Sequence, residues 1–470
     1  MLPTLLLAAC VALSSPFQVS NARGAVSRPA VPRTGNLRAG VPEHVRPNLL
    51  LILADDLGVD RVRIYNEDPI AGPTPVIDAL AQQGVLFRNA WASPVCSSAR
   101  ATLLTGKHGY RTGVTTSIGY DSAEFELSLD ETLLPEVLPP RYRSGVFGKW
   151  HLTSEATTGP LHPLLSGFDH HAGTIDSFSV SDGDNIYFDF EKMVDGVPET
   201  VTTYATTDNV DDALGWITEQ DQPWFCYLSF NAPHSPFHAP PSDLISLDLP
   251  AIAPTVNPPL FMRAATEAMD REIGRLLQSI PSSTLRRTTV VFVGDNGTAP
   301  KASTLQHQNG GAKGTVKEGG INVPLIIAGY GVTAPGSECA GLVHTTDIFA
   351  TLLELSGAPA EPDIDGVSMV PYMSAPGLPS IRPFVFSERR KPNGFGPYDS
   401  VALAVREERY KLTYNDPPIL PNGEYRMYDL HEDPFEEENI LLAVLHGPLT
   451  TDEAEMFKRL ERVLLRRLEP

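Results

Sequence analysis

NLLLILADD, residues 48–56, is the stretch that decides the fold, because an unbroken apolar run ends abruptly in two aspartates. A strand with one face in water alternates apolar and polar side chains, whereas a strand buried on both faces reads as a continuous apolar run. Strands of the second kind belong to parallel sheets that are covered by helices on both sides. The stretch therefore predicts a central strand of an α/β fold.

The same pattern recurs along the chain. Further apolar runs lie at 144–147, 224–230, 288–293 and 325–328. Helical signals fall between them: Thr74 and Pro75 suit a helix start that Gly84 would end, and 264–280 is amphipathic. Strands that alternate with helices predict a large mixed, mostly parallel sheet sandwiched between helices over residues 47–375.

The pattern of apolar and charged residues changes after residue 375. Short strand patterns at 400–414 and 424–430 are separated by charged turns. A terminal helix follows, in which Thr450 and Glu453 form a capping box. Its apolar stripe consists of Phe457, Leu460 and Leu464. Residues 376–470 therefore predict a smaller C-terminal α+β subdomain, an antiparallel sheet with a helix.

The N-terminal region predicts export. Residues 1–24 resemble a signal peptide, although no Lys or Arg precedes the apolar stretch, and 25–46 read as a flexible tether rich in Pro, Arg and Gly. LAAC, which ends at Cys10, resembles a bacterial lipobox. We therefore expect a periplasmic or extracellular protein, attached to a membrane only if Cys10 is lipidated.

Charge and cysteine content restrict the function. The net charge of −21 argues against nucleic acid as a partner, and an anionic substrate would need a local basic pocket. The four cysteines do not make a disulfide framework. Cys226 lies inside an apolar run and reads as a core thiol.

Oxygen-bearing side chains follow two of the apolar runs: Asp55, Asp56, Asp295 and Asn296. Adjacent aspartates are common in solvated turns, and Asn-Gly is a hairpin signal, but no alternating strand follows residue 297. In an α/β sheet the carboxyl ends of strands form the ligand site. An all-oxygen set there suits Ca²⁺ or Mg²⁺ rather than zinc.

Cationic side chains occupy corresponding places: Arg100, Lys149, His151, His234 and Lys313. In SPVCSSARATLLTG, residues 93–106, Cys96 and Arg100 share one face of a predicted helix that begins near the cysteine. A buried structural cysteine is the simpler interpretation, and a nucleophile position beside a cationic anchor is the other. Several cations beside a metal would neutralise a tetrahedral oxyanion such as sulfate or phosphate.

With these motifs, residues 47–440 resemble the type I, formylglycine-dependent sulfatases of the alkaline phosphatase superfamily. CSSAR at 96–100 and TLLTGKHGYRTGV at 102–114 carry the resemblance. It implies that a maturation enzyme converts Cys96 into formylglycine (3-oxoalanine), whose hydrate attacks sulfur. It also implies that residue 96 joins four ligands of one Ca²⁺ ion: Asp55, Asp56, Asp295 and Asn296.

The resemblance implies a role for each cation. Arg100 would hold the hydrate, and Lys149, His234 and Lys313 would bind sulfate oxygens. His151 would deprotonate the second hydroxyl, which expels sulfate and restores the aldehyde. The implied enzyme is a sulfuric ester hydrolase that releases inorganic sulfate from an aryl or carbohydrate sulfate, so its partners would be a sulfated small molecule or glycan and the maturation enzyme.

Two departures and two alternatives accompany the resemblance. CSSAR replaces the usual Cys-x-Pro-Ser-Arg, which bears on recognition by the maturation enzyme, and Asn322 stands where arginine is frequent. A phosphonate or phosphoester hydrolase of the same superfamily is one alternative, and an inactive homologue that binds sulfated glycans is the other.

Three aromatic residues lie in the segment 153–208: Phe178, Tyr187 and Phe188. They would either stack on a sugar or aryl ring of the substrate or belong to the core, and we favour the core.

Overall fold

The computed structural model describes residues 46–468, apart from 69–70, 120–124, 180–184, 309, 417–423 and 443–446. The predicted signal peptide, Cys10 and the tether as far as residue 45 lie outside the described residues. Among the helices that are described, none is both long enough and apolar enough to cross a membrane.

Ten strands in the described part of the chain form one mixed sheet. They are β1 (Asn48–Ala54), β2 (Gly84–Trp91), β3 (Arg143–Gly148), β4 (His170–Gly173), β5 (Phe190–Val194), β6 (Val197–Val201), β7 (Trp224–Ser229), β8 (Thr288–Gly294), β9 (Leu325–Gly329) and β10 (Ser337–His344). Their order in space is β10-β2-β9-β8-β1-β7-β3-β4-β5-β6. Strands β8, β1, β7, β3 and β4 are parallel, whereas β9 runs antiparallel between β2 and β8. The predicted mixed, mostly parallel sheet is confirmed.

Thirteen α-helices lie within the described ranges. They are α1 (Pro75–Gln83), α2 (Cys96–Thr105), α3 (Gly109–Thr112), α4 (Leu134–Val137), α5 (His162–Leu165), α6 (Ala205–Thr218), α7 (Pro258–Ser279), α8 (Ser282–Leu285), α9 (Leu305–Gln308), α10 (Glu318–Ile321), α11 (Thr346–Ser356), α12 (Val370–Ser374) and α13 (Thr451–Leu468). Helix α7 begins six residues before the predicted start at 264, because the Asn257 side chain caps it by accepting a hydrogen bond from Leu260 N.

Strand β1 shows why the apolar runs predicted the architecture. It lies between β8 and β7, and all of its residues are buried. Leu49, Leu51 and Leu53 join a core that α2 and α11 cover on one face of the sheet. Leu50 and Ile52 join a second core under α1, α6 and α7 on the other face. The sheet is therefore a layer between two layers of helices.

A second, antiparallel sheet contains β11 (Val385–Lys391), β12 (Ser400–Arg406), β13 (Tyr410–Asp416) and β14 (Glu424–Asp429). Helix α13 packs on it through Leu460 and Leu464. The predicted capping box is present: Thr450 N donates to Glu453 Oε2 at 2.7 Å, and Glu453 N donates to Thr450 Oγ1 at 3.3 Å. The smaller antiparallel α+β unit is therefore confirmed.

Candidate active site

Four adjacent parallel strands, β8, β1, β7 and β3, end at the same edge of the main sheet. The polar residues that follow these strands are Asp295 and Asn296 after β8, Asp55 and Asp56 after β1, His234 after β7, and Lys149 and His151 after β3. Cys96 and Arg100 reach this edge from α2, and Lys313 reaches it from the loop before α10. The structure brings all ten residues together at one edge.

The two aspartates after β1 serve one site because the regular strand ends at Ala54, before both of them. Asp56 has a left-handed backbone with φ of 64°, which reverses the alternation of a regular strand. Asp56 N donates to Asp295 Oδ1 at 2.9 Å, and Asn296 Nδ2 donates to Asp56 Oδ1 at 2.8 Å. The carboxylates of β1 and β8 are thereby joined into one cluster.

Cys96 is the first residue of α2 and is 1 % exposed. Its Sγ lies 3.2 Å from Asp55 Oδ1 and 3.2 Å from Lys313 Nζ. Burial, and then the charge of Asp55, raises the pKa of the Cys96 thiol well above its usual value. An unmodified thiol would therefore be protonated and a poor nucleophile, because the thiolate is the reactive form.

Arg100 lies one turn further along α2 and is fully buried. Its Nη2 lies 3.3 Å from Asp295 Oδ2 and 3.6 Å from Asp55 Oδ2. Its Nη1 donates to the Lys149 carbonyl at 2.8 Å and to Ser229 Oγ. The guanidinium thus connects the ends of β1, β3, β7 and β8. Ser229 was not predicted, although its position as the last residue of an apolar strand was an available signal.

Two lysines neutralise two of the carboxylates. Lys149 Nζ lies 2.5 Å from Asp55 Oδ2, and Lys313 Nζ lies 2.5 Å from Asp56 Oδ1. Burial raises the pKa of Asp55, but Lys149 and the other cations outweigh it and hold this pKa well below its usual value. Burial lowers the pKa of Lys313, and the surrounding anions, Asp56 first, raise it well above its usual value. Both groups are therefore charged at neutral pH.

The donor set fits a hard divalent cation. Burial, and then repulsion by Asp55, raises the pKa of Asp295 to about 7 despite the nearby Arg100. Asn296 Oδ1 is buried and has no hydrogen-bond partner in the described part of the chain. Carboxylate and amide oxygens are the ligands that Ca²⁺ and Mg²⁺ prefer. A second grouping is also close enough for a metal, with one donor atom of each member within 4.8 Å of the others: Asp55, Asp56, Cys96 and His234.

His151 is placed to act as a base. It follows β3 with φ of 59°, and its Nε2 lies 2.9 Å from the Ile118 carbonyl. Because a carbonyl only accepts, Nε2 carries the proton and Nδ1 carries the lone pair. Burial, and then the charges of Lys149 and Arg100, lowers the pKa of His151 well below its usual value. The imidazole is therefore neutral and able to accept a proton.

His234 lies on a loop that a tyrosine holds in place. Its Nε2 is 3.7 Å from Asp56 Oδ2, and its Nδ1 is 2.5 Å from the Ser235 carbonyl. Tyr187, 1 % exposed, donates through its hydroxyl to the carbonyls of Asn231 and His234, both at 2.7 Å. Tyr187 is therefore a core residue that supports the site, which agrees with the interpretation we favoured over sugar stacking.

Asn322 and His238 lie away from this cluster. Asn322 bridges to Trp91 of β2, and its Nδ2 donates to the Arg88 carbonyl at 3.4 Å. The His238 ring stacks on Tyr187 with centroids 3.8 Å apart and bonds the Tyr204 hydroxyl at 2.9 Å. His238 therefore has a structural role.

Comparison with known proteins agrees with this geometry. The Sulfatase family model matches residues 47–358, and the model for the C-terminal region of N-sulphoglucosamine sulphohydrolase matches 312–463. N-acetylgalactosamine-6-sulfatase from Rattus norvegicus is 30 % identical over 377 residues, which is 73 % of this chain and 68 % of that protein. Human arylsulfatase A is 27 % identical over 457 residues, 86 % and 85 % of the two chains.

Solved structures share the fold. A protein in complex with its substrate D-glucosamine-2-N,6-O-disulfate superposes with a TM-score of 0.70 at 20 % identity, over 90 % of this chain and 97 % of that chain. The PsFucS1 sulfatase from Pseudoalteromonas sp. gives a TM-score of 0.65 at 22 % identity, over 89 % and 91 %. Because the family model alone spans more than half of the sequence, the chain belongs to the type I sulfatase family of the alkaline phosphatase superfamily and is a sulfatase enzyme.

Proposed function

We propose that this sulfatase hydrolyses a sulfate monoester carried by a carbohydrate, through a formylglycine made from Cys96. The observation that carries the proposal is the position of Cys96 Sγ, 3.2 Å from both the Asp55 carboxylate and the Lys313 ammonium. Residue 96 thus lies between the oxygen-rich cluster and the cations. The names of the relatives, N-acetylgalactosamine-6-sulfatase among them, support a sulfated sugar as the substrate class.

Two groups would complete this site. Asp55, Asp56, Asp295 and Asn296 would hold one Ca²⁺ or Mg²⁺, which supplies charge stabilisation for an oxyanion. Formylglycine at position 96 supplies, when hydrated, a nucleophile that can release sulfate by breaking a carbon–oxygen bond. The overall reaction consumes one water and yields the free alcohol and inorganic sulfate.

The cations of the chain would bind and orient the sulfate group. Lys313 Nζ lies 3.2 Å from Cys96 Sγ, while Lys149 pairs with Asp55 and His234 lies 3.7 Å from Asp56 Oδ2. The three cations thus reach the site from three different elements and would contact different oxygens of a tetrahedral anion. Preorganised charges in a buried site stabilise a transferring oxyanion without reorganisation. Arg100 is bonded to Asp295 and to the Lys149 carbonyl after β3. It would thereby fix the position of residue 96 relative to the carboxylates.

His151 would move the proton. Its Nε2 proton is committed to the Ile118 carbonyl, so Nδ1, which lies 3.3 Å from Ser177 Oγ, would be the atom that accepts a proton from a hydroxyl at residue 96. Asp176, with Oδ1 3.3 Å from Nε2, stabilises the imidazolium that results. His234 and Lys313 would stabilise the leaving alcohol.

Mass spectrometry of tryptic peptide 89–100, from protein purified from its native host, tests the nucleophile. We expect formylglycine or its hydrate at position 96, together with hydrolysis of an aryl sulfate that a chelator abolishes and that Cys96→Ala lacks. An unmodified thiol without hydrolysis would contradict the proposal and favour a homologue that only binds sulfated glycans. Faster hydrolysis of a phosphonate ester than of a sulfate ester would favour the other alternative.

A comparison of substrates tests the sugar. We expect a higher kcat/KM on a sulfated monosaccharide, such as N-acetylgalactosamine 6-sulfate, than on 4-nitrophenyl sulfate, because contacts to the ring add to transition-state binding. Turnover of the aryl sulfate alone, across a panel of sulfated hexoses and hexosamines, would contradict a carbohydrate substrate and leave an arylsulfatase.

A further inference from the structure

A buried group of charges joins the second sheet to the loop that carries Lys313. Lys411, on β13, is fully buried, and its Nζ lies 3.1 Å from Glu318 Oε1 and 2.9 Å from Glu436 Oε1. Arg406 Nη1 lies 3.2 Å from Glu318 Oε2. Two carboxylates thus meet two cations, and a buried charge of this kind is costly to leave without its partner.

Glu436 makes three contacts, two of which hold the end of the Lys313 loop. Besides its ion pair with Lys411, its Oε2 accepts from Glu318 N at 2.5 Å, at the first residue of α10. Its main-chain carbonyl accepts from Lys317 Nζ at 3.3 Å. Glu436 reaches this position from the turn between β14 and α13, and its contacts are to α10 and the residue before it rather than to the residues around Cys96.

Glu436 makes these contacts from a strained backbone conformation. Its φ is 59°, in the left-handed region that glutamate rarely adopts. The Asp433 carboxylate fixes this turn by accepting from two successive backbone N–H groups, at 3.0 and 2.8 Å. Residues persist in such conformations only where the surrounding structure determines them, and they cluster at functional sites.

Helix α10 connects Glu436 to the site residues through main-chain hydrogen bonds and close packing. The Gly320 carbonyl accepts from Gly297 N at 3.0 Å, and Gly297 directly follows Asn296. The fit is close, because a Cβ at Gly297 would lie 1.9 Å from the Gly319 carbonyl oxygen. At the other end of the loop, Lys313 N donates to the Thr298 carbonyl at 3.0 Å. The loop is therefore fixed at both ends, and Glu436 secures the end at α10.

We propose that Glu436 is a positioning residue for the sulfatase reaction, and that Lys411 holds its carboxylate in place. Glu436 sets α10, and α10 in turn sets Lys313 and Asn296 around residue 96. The inference rests on the proposed function, because it assigns Lys313 to the substrate. Errors of about 1 Å in such a group can cost about 100-fold in rate.

A double-mutant cycle tests this role. Glu436→Gln keeps the shape of the side chain and removes its charge, and we expect kcat/KM on an aryl sulfate to fall about 10- to 100-fold, as for other partners that orient a ligand residue. In a Lys313→Ala background the same change should cost several-fold less than in the unmutated enzyme, because one of the two groups it positions, Lys313, is already absent and only the effect through Asn296 is left. An equal loss in both backgrounds would overturn the proposal.

Glu388→Gln is the matched control. Glu388 is also a buried carboxylate of the second sheet, paired with Arg390 at 2.6 Å, but it bonds Tyr110 N rather than α10. We expect it to lower stability with little change in kcat/KM. If Glu388→Gln and Glu436→Gln reduce activity equally, the effect is general destabilisation and the proposal fails.

Hydrogen exchange separates this proposal from the proposed function. In Glu436→Gln, the amides of residues 313–321 should exchange faster, while Glu388→Gln leaves them protected. Glu436→Asn is a second variant, because asparagine tolerates the left-handed backbone and preserves the turn without the reach of the carboxylate. Unchanged protection of 313–321 in both Glu436 variants would overturn the positioning role. Absence of sulfatase activity in the unmutated enzyme would instead overturn the proposed function.

Discussion

Among the three carboxylates of the site, Asp295 is the one whose ionised form the protein itself stabilises least. Burial, and then the negative charge of Asp55, raises its pKa to about 7, although Arg100 opposes the shift. Asp55, with Lys149 2.5 Å away, has its pKa lowered instead. The two neighbours differ because the lysines reach the carboxylates of β1 but not the one after β8. A divalent cation beside Asp295 and Asn296 would supply the missing positive charge.

At the residue scale, we expect calcium to stabilise protein that has been freed of divalent ions by chelation. A ligand that binds only the folded state at 100 times its Kd adds about 2.7 kcal/mol to the free energy of unfolding, which raises Tm. Asn296→Leu should lose most of this shift in differential scanning calorimetry, because its amide oxygen is one of the assigned ligands.

Asn322→Leu is the control for that measurement. Its amide oxygen is likewise buried without a hydrogen-bond partner among the described residues, but it lies beside β2. It should keep the full calcium shift. Loss of the shift in Asn322→Leu, or its retention in Asn296→Leu, would contradict the ligand assignment.

Individual site residues could be predicted where a polar side chain follows an apolar run. Asp55, Lys149 and Asp295 all stand in that relation to a strand. For Ser229 the only signal was its place at the end of an apolar strand, and the Ile118 carbonyl could not be predicted, because it matters through one contact made across the fold. A backbone carbonyl has no sequence signature at all. The roles of the site residues stay predictions until the nucleophile and the metal are measured.

At the scale of elements, a pair of histidines joins α3 and β10. His108 precedes α3 and His344 ends β10, and their rings lie 4.7 Å apart. Burial lowers the pKa of both well below the usual value, with Arg467 adding to the effect at His108 and His108 adding to it at His344. Both rings are therefore neutral in the folded protein.

Stability should fall as the pH drops through and below about 6.5, the pKa of histidine in an unfolded chain. The unfolded state then binds protons that the folded state does not, so the stabilisation is complete above that pH and is lost towards the lower folded pKa. Each histidine contributes up to about 1.4 kcal/mol per pH unit. Urea denaturation at pH 7.5 and 5.5 should show a smaller decrease for His344→Gln.

The exposed His431 provides the control for this effect. His431→Gln should retain the full pH dependence. An identical decrease in His344→Gln and the unmutated protein would show that the buried pair does not set the acid sensitivity.

The more buried a strand is, the more clearly its sequence predicted it. Strands β1, β7 and β8 have every residue buried, so their sequences are continuous apolar runs. Strand β6 is mostly exposed at the edge of the sheet, and its sequence VPETV carries no burial pattern. Its hydrogen bonds come from the register with β5. Strand β2 begins at Gly84, immediately after α1, so it has no preceding turn signal.

At the scale of the whole molecule, the two sheets share an apolar interface. It contains Trp91, Val316, Ile321, Leu342, Val385 and Ala404. Two of these six residues lie in the segment that carries Lys313, since Val316 follows Lys313 and Ile321 ends α10. The smaller unit therefore completes the core behind the active site.

A chain that ends at residue 375 should fail to accumulate as a soluble, monomeric protein, because it would expose that interface together with the buried carboxylate of Glu318. The full chain should unfold in one calorimetric transition. Expression with size-exclusion chromatography, and calorimetry of the full chain, check the two outcomes. A soluble monomer of 47–375 with native circular dichroism would contradict the shared core, as would two separate transitions in the full chain.

The fold class could be predicted because it depends on the main sheet, whose central strands have strong patterns. The way the two units meet could not be predicted, since it depends on buried charges such as Lys411 and Glu436. In the sequence these residues read as ordinary surface charges within a strand and a charged turn. Only their burial in the structure distinguishes them.

The burial of Cys96 also limits the time at which another enzyme could modify this residue. In the folded chain Cys96 is buried, and its Sγ lies against Asp55 and Lys313. A second enzyme could therefore not bind the segment around it. The enclosure closes only when β1 pairs with β8, across 240 positions of sequence, and long-range parallel pairing is slow. Under the proposed function, modification of Cys96 would therefore compete with folding. The ratio of the two rates would decide what fraction of the molecules becomes active, and a lower growth temperature that delays folding more than modification would raise that fraction.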